Sequence, residues 1–313
     1  PQSTASRRVQ VRTSHSPVTW FLARAAPTSF KLLRKSDLCR IRTAPEFCRG
    51  WSALRERASA VLVAPPGAGK TTVVPLALMD EPWVQGGKVL VLEPRRLAAR
   101  AAAERMAATL GETAGETVGY RVRMQSKVSA RTRIEIVTEG VFTRMILDAP
   151  SLEGVAAVLL DEFHERSLDA DLGLAFALQT QAILRPELRL VVMSATLDAA
   201  PVAALMDDAP VIESQGRMFP IADRYLGRDP RQSMDEQIAR AVTRALAEEG
   251  GSLLVFLPGQ GEIRRVERLL GERIRSPDVD VEPLYGALDF ALQARAIAPA
   301  PEGRRKVVLA TSM

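Results

Sequence analysis

The sequence predicts an α/β chain built as two doubly wound units with largely parallel sheets, the second of them incomplete. Three observations lead there. Short, almost continuously apolar runs alternate with Ala-rich stretches of helical period, as expected of parallel strands covered by helices on both faces. The alternation is interrupted by Gly216, Pro220, Gly227 and Pro230 and then resumes. A length of 313 residues also exceeds what one compact domain usually needs.

Taken in order, the first unit should occupy residues 51–212. Its strands are read at SAVLVA (59–64), KVLVLE (88–93), IEIVTE (134–139), VAAVLLD (155–161) and LRLVVMSAT (188–196). LAARAAAERMAATLG (97–111) and AFALQTQAILR (175–185) read as helices between them. Residues 213–232 read as a linker. The partial second unit, 233–313, begins with a helix over 234–251 that ends at Gly250–Gly251. A strand at 252–258, a helix at 263–274 and strands at 281–285 and 306–310 follow.

Composition excludes several classes. No apolar run approaches the ~18 residues of a membrane-spanning helix. Two cysteines, Cys39 and Cys48, and two histidines, His15 and His164, supply neither a disulfide framework nor a His-rich metal centre. The pI of 9.6 is a property of the tail. Residues 1–50 hold ten Lys/Arg against two Asp/Glu, leaving 32 against 35 in residues 51–313. Net charge is therefore no evidence that the body binds nucleic acid. The basic, Ser-rich tail fits a transit peptide, a disordered arm or translated sequence upstream of a true start. It is expected to lack regular structure.

SAVLVA runs straight into PPGAGKTT (65–72) and an apolar helical stretch. This is close to G-x-x-x-x-G-K-[ST], with Ala64 where the first Gly stands in the general pattern. Gly67 and Gly69, with Ala68 between them, let the backbone after Pro66 and up to Thr72 turn its N–H groups toward phosphate oxygens. Lys70 can reach the β/γ-phosphates, and Thr71 can offer its hydroxyl to Mg²⁺; Thr72 completes the loop. The helix that starts here points its positive end at the same anion. Nucleotide binding, with ATP and Mg²⁺ as ligands, follows.

A phosphate loop needs a carboxylate from a second strand to hold the metal, and Asp161 ends VAAVLL. Glu162, next in line, is placed to activate water against the γ-phosphate. His164 and Arg166 then face an adjacent element. The stretch 121–126, RVRMQS, reads equally as a basic nucleic-acid loop or as a solvated strand edge.

APPGAGKT (64–71), EPRRLAAR (93–100), TEG (138–140), DEFH (161–164) and SAT (194–196) occur in the order of the superfamily 2 helicase motifs. DEFH resembles a DEAH box. With VGYRVR (118–123), LLVFLPGQGEIRRVE (253–267) and PLYGAL…AIAPAPEGRRKVVLAT (283–311), residues 51–311 resemble the bacterial HrpB-type ATP-dependent helicases. The resemblance implies two RecA-like P-loop domains in a cytoplasmic, ATP-dependent helicase that moves on single-stranded nucleic acid, RNA favoured over DNA. It implies an ATP site of Lys70, Thr71, Asp161 and Glu162. Arg95, Arg96 and Thr138 would contact the strand, and Thr311 would lie on the second domain's nucleic-acid and nucleotide face. Ser194 and Thr196, with His164, would couple hydrolysis to movement. The chain stops within the family's fifth motif and lacks its arginine-rich sixth. It is accordingly expected to be a fragment, with a catalytically weak nucleotide- and nucleic-acid-binding remnant as the alternative. A kinase or transporter ATPase is disfavoured by DEFH, TEG and SAT in that order.

Overall fold

The computed structural model describes residues 8–12, 54–65, 67–196, 198–214, 221–227 and 229–311. The described residues fall into two compact units, one within 54–214 and the other made of 8–12 and residues from 221 to 311.

In the larger unit the apolar runs do form strands. They are β2 (Ser59–Val63), β3 (Lys88–Glu93), β6 (Ile134–Thr138), β7 (Val155–Leu160) and β8 (Arg189–Ser194). β4 (Val118–Val122), β5 (Gln125–Lys127) and β9 (Val211–Glu213) complete an eight-stranded sheet. Its spatial order is β5-β4-β6-β3-β7-β8-β2-β9. Only the β4–β5 hairpin at one edge is antiparallel. Alternate residues of each strand feed opposite cores. Val89, Val91, Ile136, Leu159 and Met193 meet Ala99, Ala103 and Met106 of α2 (Arg96–Leu110) on one face. Leu90, Leu92, Val158, Leu160 and Val192 meet Phe142 of α3 (Glu139–Asp148) and Leu174 of α4 (Leu168–Ile183) on the other. Burial on both faces is why these strands read as unbroken apolar runs. α1 (Lys70–Leu78) and α5 (Ala200–Leu205) also belong to this unit.

Several boundaries differ from expectation. α4 starts at Leu168, not 175, because Ser167 caps it: its Oγ accepts from the Ala170 N–H at 2.9 Å and donates to Glu139 Oε2 at 2.6 Å. The first turn then carries Asp169 and Asp171, favourable against the helix dipole but not apolar in pattern. Residues 121–126 belong to the β4–β5 hairpin, a strand edge. Arg121 is paired to Glu135 at 2.8 Å, and Met124 stands 93% exposed at the turn with φ +65°.

The smaller unit has its own core of Ile238, Val242, Leu253, Val255, Ile263, Val266, Val307 and Leu309. Its three-stranded parallel sheet runs β11 (Leu253–Phe256), β13 (Arg305–Ala310), β12 (Val279–Leu284). α6 (Met234–Glu248), α7 (Gln260–Arg273) and α8 (Phe290–Ile297) accompany it. α6 opens with a capping box of Ser233 and Glu236. One strand was not expected in the tail: β1 (Arg8–Arg12) pairs in parallel with β10 (Ile221–Tyr225), inside the stretch read as linker. The sequence RVQVR, with Val9 and Val11 alternating, has strand periodicity too brief to stand out in a basic tail. Cys39, Cys48, His15, Trp51, Gly216 and Pro220 lie outside the described residues.

Gly119 shows why β4 departs from an ordinary strand pattern. A Cβ there would run into the Lys127 carbonyl oxygen, with Val128 and Thr132 side chains also within 3.2 Å. Gly119→Ala is expected to lower unfolding free energy by about 1–3 kcal/mol, measured by urea denaturation.

Candidate active site

Five strands lie side by side in the order β6, β3, β7, β8, β2, and all are parallel to their neighbours. Their carboxyl ends carry Thr138, Glu93–Arg96, Asp161–His164, Ser194–Thr196 and the phosphate loop. Segments separated by up to 130 residues thus share one edge, where open α/β sheets bind ligands. Backbone bonds fix neighbouring ends: Asp161 N–H donates to the Leu92 carbonyl at 2.9 Å, and Ala64 N–H to that of Ser194 at 3.0 Å.

In the phosphate loop, Gly67 and Gly69 have φ of +83° and +93°, a backbone turn that aims successive N–H groups into a concavity. Gly69 precedes the first residue of α1, and Val73 Cγ2 lies 2.8 Å from where a Cβ would stand. Lys70 is buried, and its ammonium donates to the Ala64 carbonyl at 2.6 Å and to that of Pro65 at 3.4 Å. Ala68 N–H closes the turn onto the Pro65 carbonyl. Thr71 and Thr72 are partly exposed at the start of α1. Pro66 lies outside the described residues.

Asp161 is 2% exposed. Burial pushes its carboxyl up; the nearby Thr71 hydroxyl pulls it down, Glu162 raises it again, and Lys70 lowers it. Oδ1 accepts from the Glu162 N–H at 2.8 Å. Oδ2 is buried with no hydrogen-bond partner among the described residues. A buried orphan carboxylate oxygen is costly unless a cation or donor completes it. Glu162 follows in the left-handed region, φ 49° and ψ 32°, before the single 3₁₀ turn Phe163–Glu165. A non-glycine residue held there is strained, a feature that clusters at functional sites. His164 Nδ1 lies 3.3 Å from the Ala195 N–H and 3.4 Å from Glu162 Oε2. One ring nitrogen thus stands between DEFH and SAT. Ser194 is buried and its Oγ lies 3.3 Å from Thr196 Oγ1.

Residues 49–205 match the DEAD/DEAH box helicase family. This chain belongs to that family. The ATP-dependent RNA helicase HrpB of Escherichia coli (strain K12) is 53% identical over 253 residues, which are 81% of this chain and 31% of that protein. The Schizosaccharomyces pombe pre-mRNA-splicing factor ATP-dependent RNA helicase prp22 is 35% identical over 259 residues, 81% of this chain and 22% of its own. The crystal structure of E. coli DEAH/RHA helicase HrpB superposes with a TM-score of 0.77 at 52% identity, covering 84% of this chain and 34% of that one. The chain spans about a third of the bacterial relative's length, and the RecA-like α/β helicase fold is common to both.

Within this helicase fold the remaining sequence-predicted residues have different settings. Arg95 and Arg96 are exposed at the start of α2. Arg95 Nη2 is paired to Glu165 Oε1 at 2.9 Å. Thr138 is only 9% exposed, opposite Glu93 in the β3–β6 register, so its hydroxyl belongs to the sheet end more than to an open surface. Thr311 lies in the smaller unit, where its N–H donates to the Leu284 carbonyl at 3.2 Å.

One residue was missed. Glu93 ends β3, is buried, and has its carboxyl raised to about 8, chiefly by burial and then by Asp161 and Glu162. The Arg95 N–H partly offsets this. A carboxylate closing an apolar strand is the signature that marked Asp161, and it was equally visible in KVLVLE. Because the folded value exceeds the ordinary 4.5, the unfolded chain releases this proton first as pH rises. Stability from this group is therefore fully present below 4.5 and lost as pH climbs to about 8. Glu93→Gln should unfold at higher urea than the parent at pH 8.5, with the gap closing at pH 4.5, measured in metal-free buffer.

Proposed function

We propose that this chain is the motor part of an ATP-dependent helicase that works on single-stranded nucleic acid, with RNA as the favoured substrate. The reading is carried by one observation: the phosphate loop, the SAT segment and Asp161–Glu162 end three consecutive parallel strands, β2, β8 and β7, and Thr71 and Lys70 of the loop reach the Asp161 carboxyl across the middle one. Membership of the DEAD/DEAH box family and the RNA helicase names of the relatives support it. Residues 51–212 would be the nucleotide-binding domain, 213–232 a linker, and 233–313 part of the second RecA-like domain.

In this mechanism Gly67–Thr72 hold the phosphates of ATP, and the Lys70 ammonium exchanges the Ala64 and Pro65 carbonyls for phosphate oxygens. Asp161 Oδ2 and the Thr71 hydroxyl fit Mg²⁺, since both are oxygen donors and the carboxylate oxygen is otherwise unpartnered. When bound, the ion would neutralise phosphate charge and the repulsion between the adjacent carboxylates. Glu162 orients a water and accepts its proton as the oxygen attacks the γ-phosphorus and the bond to ADP breaks. His164, between Glu162 and Ala195, links that step to the segment carrying Ser194 and Thr196. Arg95 and Arg96 contact the phosphodiester backbone, as would Thr138 and Thr311.

Steady-state ATP hydrolysis with and without single-stranded RNA tests the reading. RNA should raise the rate, and Glu162→Gln should lower it about 10²–10⁴-fold while labelled nucleotide still binds. Lys70→Ala should abolish that binding. Nucleotide binding with no turnover in the presence of RNA would instead make this chain a binding module. An oligodeoxynucleotide of the same sequence should stimulate less if 2′-hydroxyls are read.

A further inference from the structure

We propose that Glu165 is a positioning residue that holds Arg95 against the DEFH turn until a nucleic-acid phosphate replaces it, so that strand binding is felt at Glu162. The inference rests on the reading of Arg95 as a backbone-phosphate contact.

Arg95 caps α2 with extended backbone, and its Nη2 meets Glu165 Oε1 at 2.9 Å. The two side chains are 49% and 38% exposed, so a ligand can reach the pair. An exposed carboxylate–guanidinium pair is weak. A phosphodiester offers the same guanidinium two oxygens in a matching fork. The pair is thus a contact that a strand can exchange for its own.

The exchange is connected to the catalytic residues by short steps. Glu165 ends the Phe163–Glu165 turn, and its N–H donates to the Glu162 carbonyl at 2.9 Å. Glu162 itself is held in left-handed backbone. Beyond Glu165 the chain is anchored at the cap of α4, where Ser167 Oγ accepts from the Ala170 N–H at 2.9 Å and donates to Glu139 Oε2 at 2.6 Å. Release of Glu165 therefore acts between a fixed residue and a strained one. Arg95 is tied to the site a second time, through its N–H and the Glu93 carboxyl, which faces Asp161 and Glu162. Two arrangements result, with Arg95 on Glu165 or Arg95 on phosphate, and a ligand favouring either one shifts the other's binding by the same factor.

The test measures binding of a fluorescein-labelled oligouridylate by anisotropy, with and without saturating Mg-AMPPNP. Glu165→Gln should bind RNA two- to five-fold tighter without nucleotide, the range of an exposed ion pair. The factor by which Mg-AMPPNP changes RNA affinity should move toward one. Glu165→Asp, which keeps the charge, should retain the parent's coupling, a rescue that a purely structural role would not produce. Arg95→Ala is the control and should weaken RNA binding. If it does while Glu165→Gln leaves affinity and coupling unchanged, the latch is overturned and the RNA-binding reading stands. If Arg95→Ala has no effect, both fall.

Discussion

The parallel register of β6, β3, β7, β8 and β2 is the constraint on which the rest depends. Parallel pairing sends every strand's carboxyl end to the same edge, and the backbone bonds from Asp161 to Leu92 and from Ala64 to Ser194 set how far each end protrudes. The phosphate loop, the acidic pair and the SAT segment are short and polar, and none could bury its own support. Each is held by the strand beneath it, whose side chains are packed into a core on both faces. The placement of the candidate site residues is therefore a consequence of sheet packing.

That packing creates an electrostatic problem at the edge it serves. Glu93, Asp161, Glu162 and Glu165 converge there, and burial first, then repulsion from their acidic neighbours, drives the first two carboxyls upward. Lys70 faces the group from the phosphate loop and Arg95 from the start of α2. Neither removes the cost, as the orphaned Oδ2 of Asp161 shows. An array of carboxylates short of cations is poorly suited to rest and well suited to a divalent metal carried by a nucleotide. The left-handed backbone at Glu162 and Arg166 adds strain around the same turn, which is tolerated because the strands and α4 on either side are rigid.

Some of this was plain in the residues. The apolar strands announced themselves because burial on both faces leaves no polar position, and Gly67, Gly69, Lys70 and Thr71 carry a chemistry that few other patterns share. Other parts were hidden by local polarity. β5 is Gln-Ser-Lys at a solvated edge, and the first turn of α4 carries two aspartates because its dipole favours them. Glu93 was overlooked beside Arg95 and Arg96, although it obeys the same rule as Asp161.

What the sequence determined by itself was the set of chemical parts: strand, phosphate loop, acidic pair and family, each written in contiguous residues whose local physics is self-contained. Tertiary structure decided which parts are neighbours. Strand order is not chain order, so the adjacency of β3 and β7, the meeting of His164 with Ala195 and the pairing of Arg95 with Glu165 arise only when the sheet closes. Those contacts span 31 and 70 residues. No local pattern encodes them, because the energy that selects them is the burial of a whole sheet between two layers of helices.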